Sequence, residues 1–238
     1  VQWLSDEELA KVIQELPRRP MLAGTDGPRL SLAGAQDKLP VVFDGGRVGL
    51  PMNGTPSTHI MKPAIRSLEG SVINEAFSLE LAGAMGLPVA KPVILNAAGE
   101  QTLLVQRYDR VTDASGNTQR VHQEDFCQAL GVLSETKYQN EGGPGFTDAF
   151  ELLRRATRPS VKNVLTMFDY AVFNVLVGNH DAHGKNYSLL YADNGPVLAP
   201  LYDVLSTTIY PELTNKMAMK VGGKYKFTEI MDRHWDRF

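Results

Sequence analysis

The apolar positions Leu9, Val12, Ile13 and Leu16 recur at helical steps near the start of the chain. Ser5 and Glu8 make a capping box ahead of them, Leu4 and Leu9 form a hydrophobic staple, and Pro17 and Pro20 stop the helix. The period then shortens. Leu39 to Phe43 and Arg47 to Leu50 read as strands joined at Asp44-Gly45-Gly46, and Thr58 to Lys62 as another strand, stopped by Pro63. Ser71 to Met85 returns to the helical period, with Ile73, Phe77, Leu81 and Ala84 on one face and Gly86 and Pro88 ending it. Pro92 to Leu95 and Thr102 to Arg107 read as strands.

Further along, helices are predicted at His122 to Leu130, Asp148 to Ala156 and Val161 to Val177, the last capped by Ser160. In that last helix Val161, Val164, Leu165, Phe168, Ala171, Val172, Val175 and Leu176 make a wide stripe expected to be buried. Short strands at Tyr187 to Tyr191 and Val197 to Leu198 flank Asn194-Gly195. Gly142-Gly143-Pro144-Gly145 reads as a flexible surface loop. The pattern predicts an α+β fold of two lobes. A β-rich lobe with a leading helix would cover residues 1–107 and a mostly helical lobe residues 108–238, leaving a cleft for a small ligand.

Composition narrows this picture only a little. The 238 residues are 43% hydrophobic and 21% charged, which excludes a disordered, collagen-like or disulfide-scaffolded chain. A formal net charge of −3 supplies no global attraction to nucleic acid or to a membrane surface. The longest apolar run, around Tyr170 to Gly178, falls far below the roughly 18 residues that span a bilayer. No basic-then-apolar leader opens the chain. Cys127 stands alone, so a reducing, cytoplasmic setting is expected. Val1 at the start and Phe238 at the end read as cuts within a longer protein.

The densest chemistry lies in Gly178-Asn179-His180-Asp181-Ala182-His183-Gly184-Lys185-Asn186, a loop between a buried helix and a strand. Asp181 and Asn186 have the D-x-x-x-x-N spacing of kinase-type phosphotransferases. There the Asp takes the proton of an attacking hydroxyl and the Asn holds magnesium. Asp203 follows where a second metal-binding Asp belongs, and Lys62 ends a strand from which it would reach phosphates. Each residue also has a plainer reading: turn chemistry for the loop, a helix cap for Asp203, a solvated strand end for Lys62. His180, Asp181 and His183 offer an alternative zinc set. Residues Leu30 to Lys38 are small and end in a lysine, a candidate phosphate loop that matches neither the Walker A nor the G-x-G-x-x-G pattern.

Taken in order, several motifs resemble the HipA family of serine/threonine kinases, the toxins of bacterial type II toxin–antitoxin pairs. They are Ser31-Leu32-Ala33-Gly34-Ala35-Gln36-Asp37-Lys38, Ser57 to Lys62, Val105 to Arg110, Gln123 to Gly131, Gly178 to Asn186, and Leu201-Tyr202-Asp203. The resemblance runs from about Leu4 to Trp235 and implies a protein-kinase-like fold using ATP and Mg²⁺. It implies that Ala33, Gly34, Ala35, Gln36, Asp37 and Lys38 cover the ATP phosphates and that Lys62 pairs with them. Gln106, Arg107 and Tyr108 would hold adenine through the backbone, with Gln106 in a slot that is often acidic in the family. Asp181 would be the catalytic base. His183, Gly184, Lys185 and Asn186 would line the phosphate side. Tyr202 and Asp203 would close the site, with Asn186 and Asp203 as magnesium ligands. Glu75, on the helix after Lys62, is the candidate partner that positions that lysine, and Ser31 the candidate autophosphorylation site.

The resemblance further implies a protein substrate, for which aminoacyl-tRNA synthetases are family precedents. It implies an antitoxin partner of the HipB type, with DNA met only through that partner. Family members carry a further N-terminal β-rich region and additional C-terminal helices, which this chain is expected to lack. A small-molecule phosphotransferase of the same fold and a non-catalytic nucleotide- or antitoxin-binding module are the alternatives.

Overall fold

The computed structural model describes residues 1–16 and 36–236. Ser31, Ala33, Gly34 and Ala35 of the expected phosphate loop lie outside the described residues. The chain divides into two compact units, one of Val1–Glu80 and Ala90–Arg120, the other of Leu81–Val89 and Val121–Phe238.

The first unit is built on strands β1 (Gln2–Trp3), β2 (Leu39–Asp44), β3 (Arg47–Leu50), β4 (His59–Pro63), β5 (Pro92–Ala97) and β6 (Glu100–Gln106). They form one antiparallel sheet in the order β1-β3-β2-β4-β6-β5. Helix α1 (Asp6–Glu15) starts at the predicted box: Glu8 N–H donates to Ser5 Oγ at 3.2 Å and Ser5 N–H to Glu8 Oε2 at 2.8 Å. Its Leu9 and Ile13, with Leu16, pack onto Leu39, Val41, Val48, Met61 and Leu104 of the sheet, one continuous apolar core. The unit continues past Arg107 through the hairpin β7 (Arg110–Thr112) and β8 (Thr118–Arg120). Arg110 Nε donates to Ser57 O at 2.7 Å and Arg120 Nη2 to Gly54 O at 2.9 Å, which tie the hairpin back to the sheet unit.

Helix α2 (Ser71–Ala84) has its faces the other way round from the sequence expectation. Ile73 is 54% and Phe77 63% exposed, and Leu81 is exposed too, while Val72, Glu75, Ala76, Leu79 and Ala82 are buried. The reason is a charged residue: the helix is turned to bring Glu75 onto Lys62, and hydrophobicity alone cannot register that.

The second unit carries strand β9 (Gln123–Asp125), helices α3 (Phe126–Leu130), α4 (Phe146–Ala156) and α5 (Ser160–Val177), strands β10 (Ser188–Ala192) and β11 (Gly195–Leu198), and the short helix α6 (Asp232–Trp235). The expected helix from His122 begins as a strand. Gln123–Asp125 pairs with Ser188–Leu190, and Asp125 then caps α3 by accepting from Gln128 N–H at 2.8 Å. The buried face of α5 also departs from the expected stripe. Ala171 of that stripe is buried, but Val161, Leu165 and Leu176 are exposed, and Asn163, Met167, Tyr170, Phe173 and Asn174 are buried instead. The asparagines go inside because both are hydrogen-bonded: Asn163 Oδ1 accepts from Leu198 N–H at 2.8 Å, and Asn174 Nδ2 donates to Tyr170 O at 2.9 Å. Among the described residues no helix is long and apolar enough to cross a membrane.

Candidate active site

In the first unit, strand β4 delivers Lys62 and helix α2 delivers Glu75. Lys62 Nζ donates to Glu75 Oε1 at 2.6 Å, with both residues buried. A buried ammonium and a buried carboxylate each need a partner of opposite charge. The pair therefore fixes the lysine side chain on the strand, where Thr102 Oγ1 also donates to Lys62 O at 2.8 Å.

At the end of β6, Gln106 N–H donates to Lys91 O at 2.8 Å and Arg107 N–H to Thr58 O at 2.9 Å. The amides of Gln106 and Arg107 are thus spent inside the sheet unit, so neither is an unoccupied donor for a base edge. The segment is locked from its far side by Asp109, which accepts from Arg107 Nε at 2.9 Å and Nη2 at 2.6 Å and sits 2.8 Å from Arg110 Nη1. Burial alone would raise the Asp109 carboxyl, but the hydrogen bonds from Arg107 and the charges of Arg107 and Arg110 outweigh it and hold it below the usual carboxylate range.

In the second unit the Gly178–Asn186 loop is shaped by side chains more than by its own backbone. Gly178 ends α5 in a left-handed conformation, φ +74°, and its N–H returns to Asn174 O and Val175 O. A Cβ there would collide with Thr208, and the Gly178 carbonyl accepts from Thr207 N–H at 3.0 Å. Asn174 Oδ1 accepts from Asn179 Nδ2 at 2.8 Å, and Asn179 Oδ1 in turn accepts from Asp181 N–H at 3.0 Å. His180 N–H donates to Thr207 Oγ1 at 2.8 Å, His180 O accepts from Ala218 N–H at 2.7 Å, and the ring stacks on Phe227 at 4.3 Å. The His180 ring itself meets Thr207 Oγ1 through Nδ1 at 2.9 Å, and among the described residues no group of three or more His, Cys, Asp or Glu is placed to hold a metal.

Asp181 is exposed, and its Oδ1 accepts from the phenol of Tyr138 at 2.8 Å. Asn186 Oδ1 accepts from His183 N–H at 3.1 Å, while Asn186 Nδ2 donates to Asp203 Oδ2 at 3.0 Å. Asp203 itself holds a left-handed backbone, φ +58°, a conformation that Asp tolerates better than most side chains. It is positioned from both sides. Leu201 N–H donates to Pro88 O at 2.8 Å, and the Tyr202 phenol donates to Lys185 O at 2.8 Å and shares a 2.7 Å contact with Ser188 Oγ.

Gly142 to Gly145 is not an outlying loop. Pro144 and Gly145 are buried, and a Cβ on Gly184 would come within 2.7 Å of Pro144 Cγ and 3.0 Å of Cys127 Sγ. The glycine at 184 lets the Asp181–Asn186 loop lie directly on that segment.

The structure thus joins Lys62 to Glu75 in one unit, and Asn186 to Asp203 in the other with Asp181 on the same loop. Gln36, Asp37 and Lys38 lead into β2 in the first unit. Tyr138 was not singled out in the sequence, since it lies 43 residues from the aspartate it touches.

The residues fit a magnesium-bound nucleotide. The Asn186 and Asp203 side chains meet, the Asn186 amide nitrogen facing the Asp203 carboxylate, and magnesium needs few protein ligands when it shares phosphates. His183 Nδ1 is buried without a hydrogen-bond partner among the described residues, and burial depresses the imidazole to about 4, leaving it neutral. A polar atom left in that state is one that a ligand would satisfy.

Residues 30–238 match the family model of the HipA-like C-terminal domain. Y4mE of Sinorhizobium fredii, which its name classes with kinases, is 52% identical over 99% of this chain and 56% of its own length. The serine/threonine-protein kinase toxin HipA of Shewanella oneidensis is 32% identical over 92% of this chain and 53% of its own. The chain therefore spans about half the length of these curated relatives. In a solved complex of the Shewanella oneidensis HipA with HipB and operator DNA, HipA superposes with a TM-score of 0.85 at 31% identity, over 98% of this chain and 57% of that one. The Helicobacter pylori proinflammatory kinase CtkA, 16% identical, shares the fold with a TM-score of 0.54 over 79% of this chain and 59% of that one. The fold is accordingly α+β and kinase-like. The chain belongs to the HipA-like C-terminal domain family, whose relatives bear kinase names.

Proposed function

We propose that the protein is an ATP- and Mg²⁺-dependent serine/threonine kinase. The observation that carries the reading is that Asn186, on the loop that also exposes Asp181, reaches Asp203 at 3.0 Å. In this reading Asp181 accepts the proton of the attacking hydroxyl, and Asn186 and Asp203 hold magnesium. Lys62, set by Glu75, steadies the phosphates, with Gln36, Asp37, Lys38, Tyr108, His183, Gly184, Lys185 and Tyr202 completing the nucleotide surface and Gln106 and Arg107 meeting it through groups other than their committed amides. ATP supplies the transferable phosphoryl group. The protein supplies position and charge, which is most of what phosphoryl transfer requires.

Finer parts of the proposal rest on the family. The acceptor is a serine or threonine of a protein, as the name of the Shewanella oneidensis relative implies for that protein. Ser31 is the site of autophosphorylation, where a phosphate adds roughly −1.5 to −2 charges and would repel the nucleotide. A HipB-type antitoxin is the partner, by analogy with the Shewanella oneidensis complex.

Incubation with ATP labelled at the γ-phosphate, followed by mass spectrometry, tests this. Label on Ser31 or on a serine or threonine of an added protein is the expected result. Label on small-molecule alcohols alone, or no transfer by protein that binds ATP, would contradict it.

A further inference from the structure

The Asp181 carboxylate has one conspicuous neighbour that the kinase reading leaves unused, the Tyr138 phenol. Its O–H donates to Asp181 Oδ1 at 2.8 Å. The tyrosine is held in place by several independent contacts. Tyr138 O accepts from Glu141 N–H at 3.0 Å and Gly143 N–H at 2.9 Å. Its ring meets the His183 ring edge-on at 5.3 Å, and the Lys137 ammonium lies 4.9 Å from its centre. The next residue, Gln139, donates its N–H to Ala218 O at 3.1 Å, and Ala218 N–H donates to His180 O at 2.7 Å. Lys220 N–H adds a 2.8 Å bond to Gln139 Oε1. One short segment thus laces the tyrosine to the same loop that carries Asp181.

We infer that Tyr138 is a positioning residue for Asp181, fixing the carboxylate by occupying Oδ1 so that Oδ2 faces the acceptor hydroxyl. A carboxylate has two oxygens and ample lone pairs, so one donor on Oδ1 leaves the other oxygen available. An exposed Asp otherwise samples several side-chain rotamers, and a base out of place loses rate steeply. The phenol is suited to the task because it stays protonated: burial first, then the facing Asp181 carboxylate, push its pKa well above the ordinary tyrosine value. The inference rests on the kinase reading for its catalytic half and on the geometry for the rest.

The test is Tyr138→Phe, which removes only the hydroxyl. The carboxyl-carbon NMR signal of Asp181 is expected to shift. The kcat for phosphate transfer is expected to fall about tenfold, the size of one hydrogen bond to a charged group, with the KM for ATP and the melting temperature unchanged. An unmoved Asp181 signal overturns the inference, and so does a kcat that stays level or rises, since a rise would mean the phenol competes with the acceptor. A drop in ATP affinity or melting temperature large enough to account for the lost activity overturns it as well. If the wild-type protein transfers no phosphate at all, the kinase reading fails, and the Asp181 signal alone decides whether Tyr138 holds the carboxylate.

Discussion

Glu75 and Asp181, two carboxylates of the candidate site, are held in opposite ways. Glu75 is buried and meets an ammonium, Lys62, at 2.6 Å. Asp181 is exposed and meets a neutral phenol, Tyr138, at 2.8 Å. The bonds are similar in length, but their energetics differ. Inside the first unit an unpaired charge is costly, so Glu75 and Lys62 must neutralise each other to be there at all. At the surface of the second unit water solvates Asp181, and what the loop must supply is orientation. One region is a structural device that also aims a lysine. The other is a loop that, in the proposed kinase, aims a base, and it is held by asparagines, threonines and backbone groups around it.

The comparison can be broken by substitutions on either side. The largest effect is expected for Asp181→Asn, which should cut phosphate transfer about a thousandfold, as loss of a general base does, while the melting temperature stays within error of wild type. Glu75→Ala should instead destabilise the first unit by about 3–5 kcal/mol, because it leaves Lys62 buried without its carboxylate; urea denaturation reads this directly. A loss under about 1 kcal/mol would mean the pair behaves like a surface salt bridge. Asn174→Ala removes the bracket beneath the Gly178–Asn186 loop, leaving Asn179 Nδ2 without its acceptor. About 1–3 kcal/mol should be lost in the same measurement, with kcat lowered more than the KM for ATP.

The smallest effect concerns Asp109, which acts on pH dependence. Its folded carboxyl lies below the ordinary value, so as pH falls the unfolded chain takes up a proton first. The stability that Asp109 contributes is complete above the ordinary carboxylate range and is lost as pH drops through the lowered folded value. Asp109→Asn should flatten that acid limb in thermal melts between neutral and acid pH. An unchanged limb would show that the Arg107–Asp109–Arg110 cluster does not stabilise the fold through charge.

The same contrast explains what the sequence makes legible. Local signals translate directly: the Ser5–Glu8 box starts α1 where expected, and Asp44-Gly45-Gly46 joins β2 to β3. The D-x-x-x-x-N spacing and the chain order of Lys62, Asp181, Asn186 and Asp203 are visible without coordinates. Which face of a helix turns inward is not, when polar groups decide it. In α2 the buried face follows Glu75, and in α5 it follows Asn163 and Asn174, so apolar periodicity selects residues that the structure leaves exposed, such as Phe77 and Leu165. Gln123–Asp125 is a polar strand whose partner, Ser188–Leu190, is distant in sequence, and helix signals overran it. Gly142 to Gly145 looks mobile by composition yet packs under Gly184, a contact made by the absence of a side chain. Tyr138 carries no motif at all, because its role exists only once the loop folds back onto it.

The division of labour between the two carboxylates is tested most directly by calorimetric titration of Mg-ATP into Asp181→Asn and Glu75→Ala side by side. Asp181→Asn is expected to bind within about twofold of wild type, since in the proposed kinase it removes a base rather than a nucleotide contact. Glu75→Ala is expected to bind about tenfold more weakly, through a misplaced Lys62. Equal affinities in the two variants, or a nucleotide affinity lost in Asp181→Asn and kept in Glu75→Ala, would contradict that division of labour.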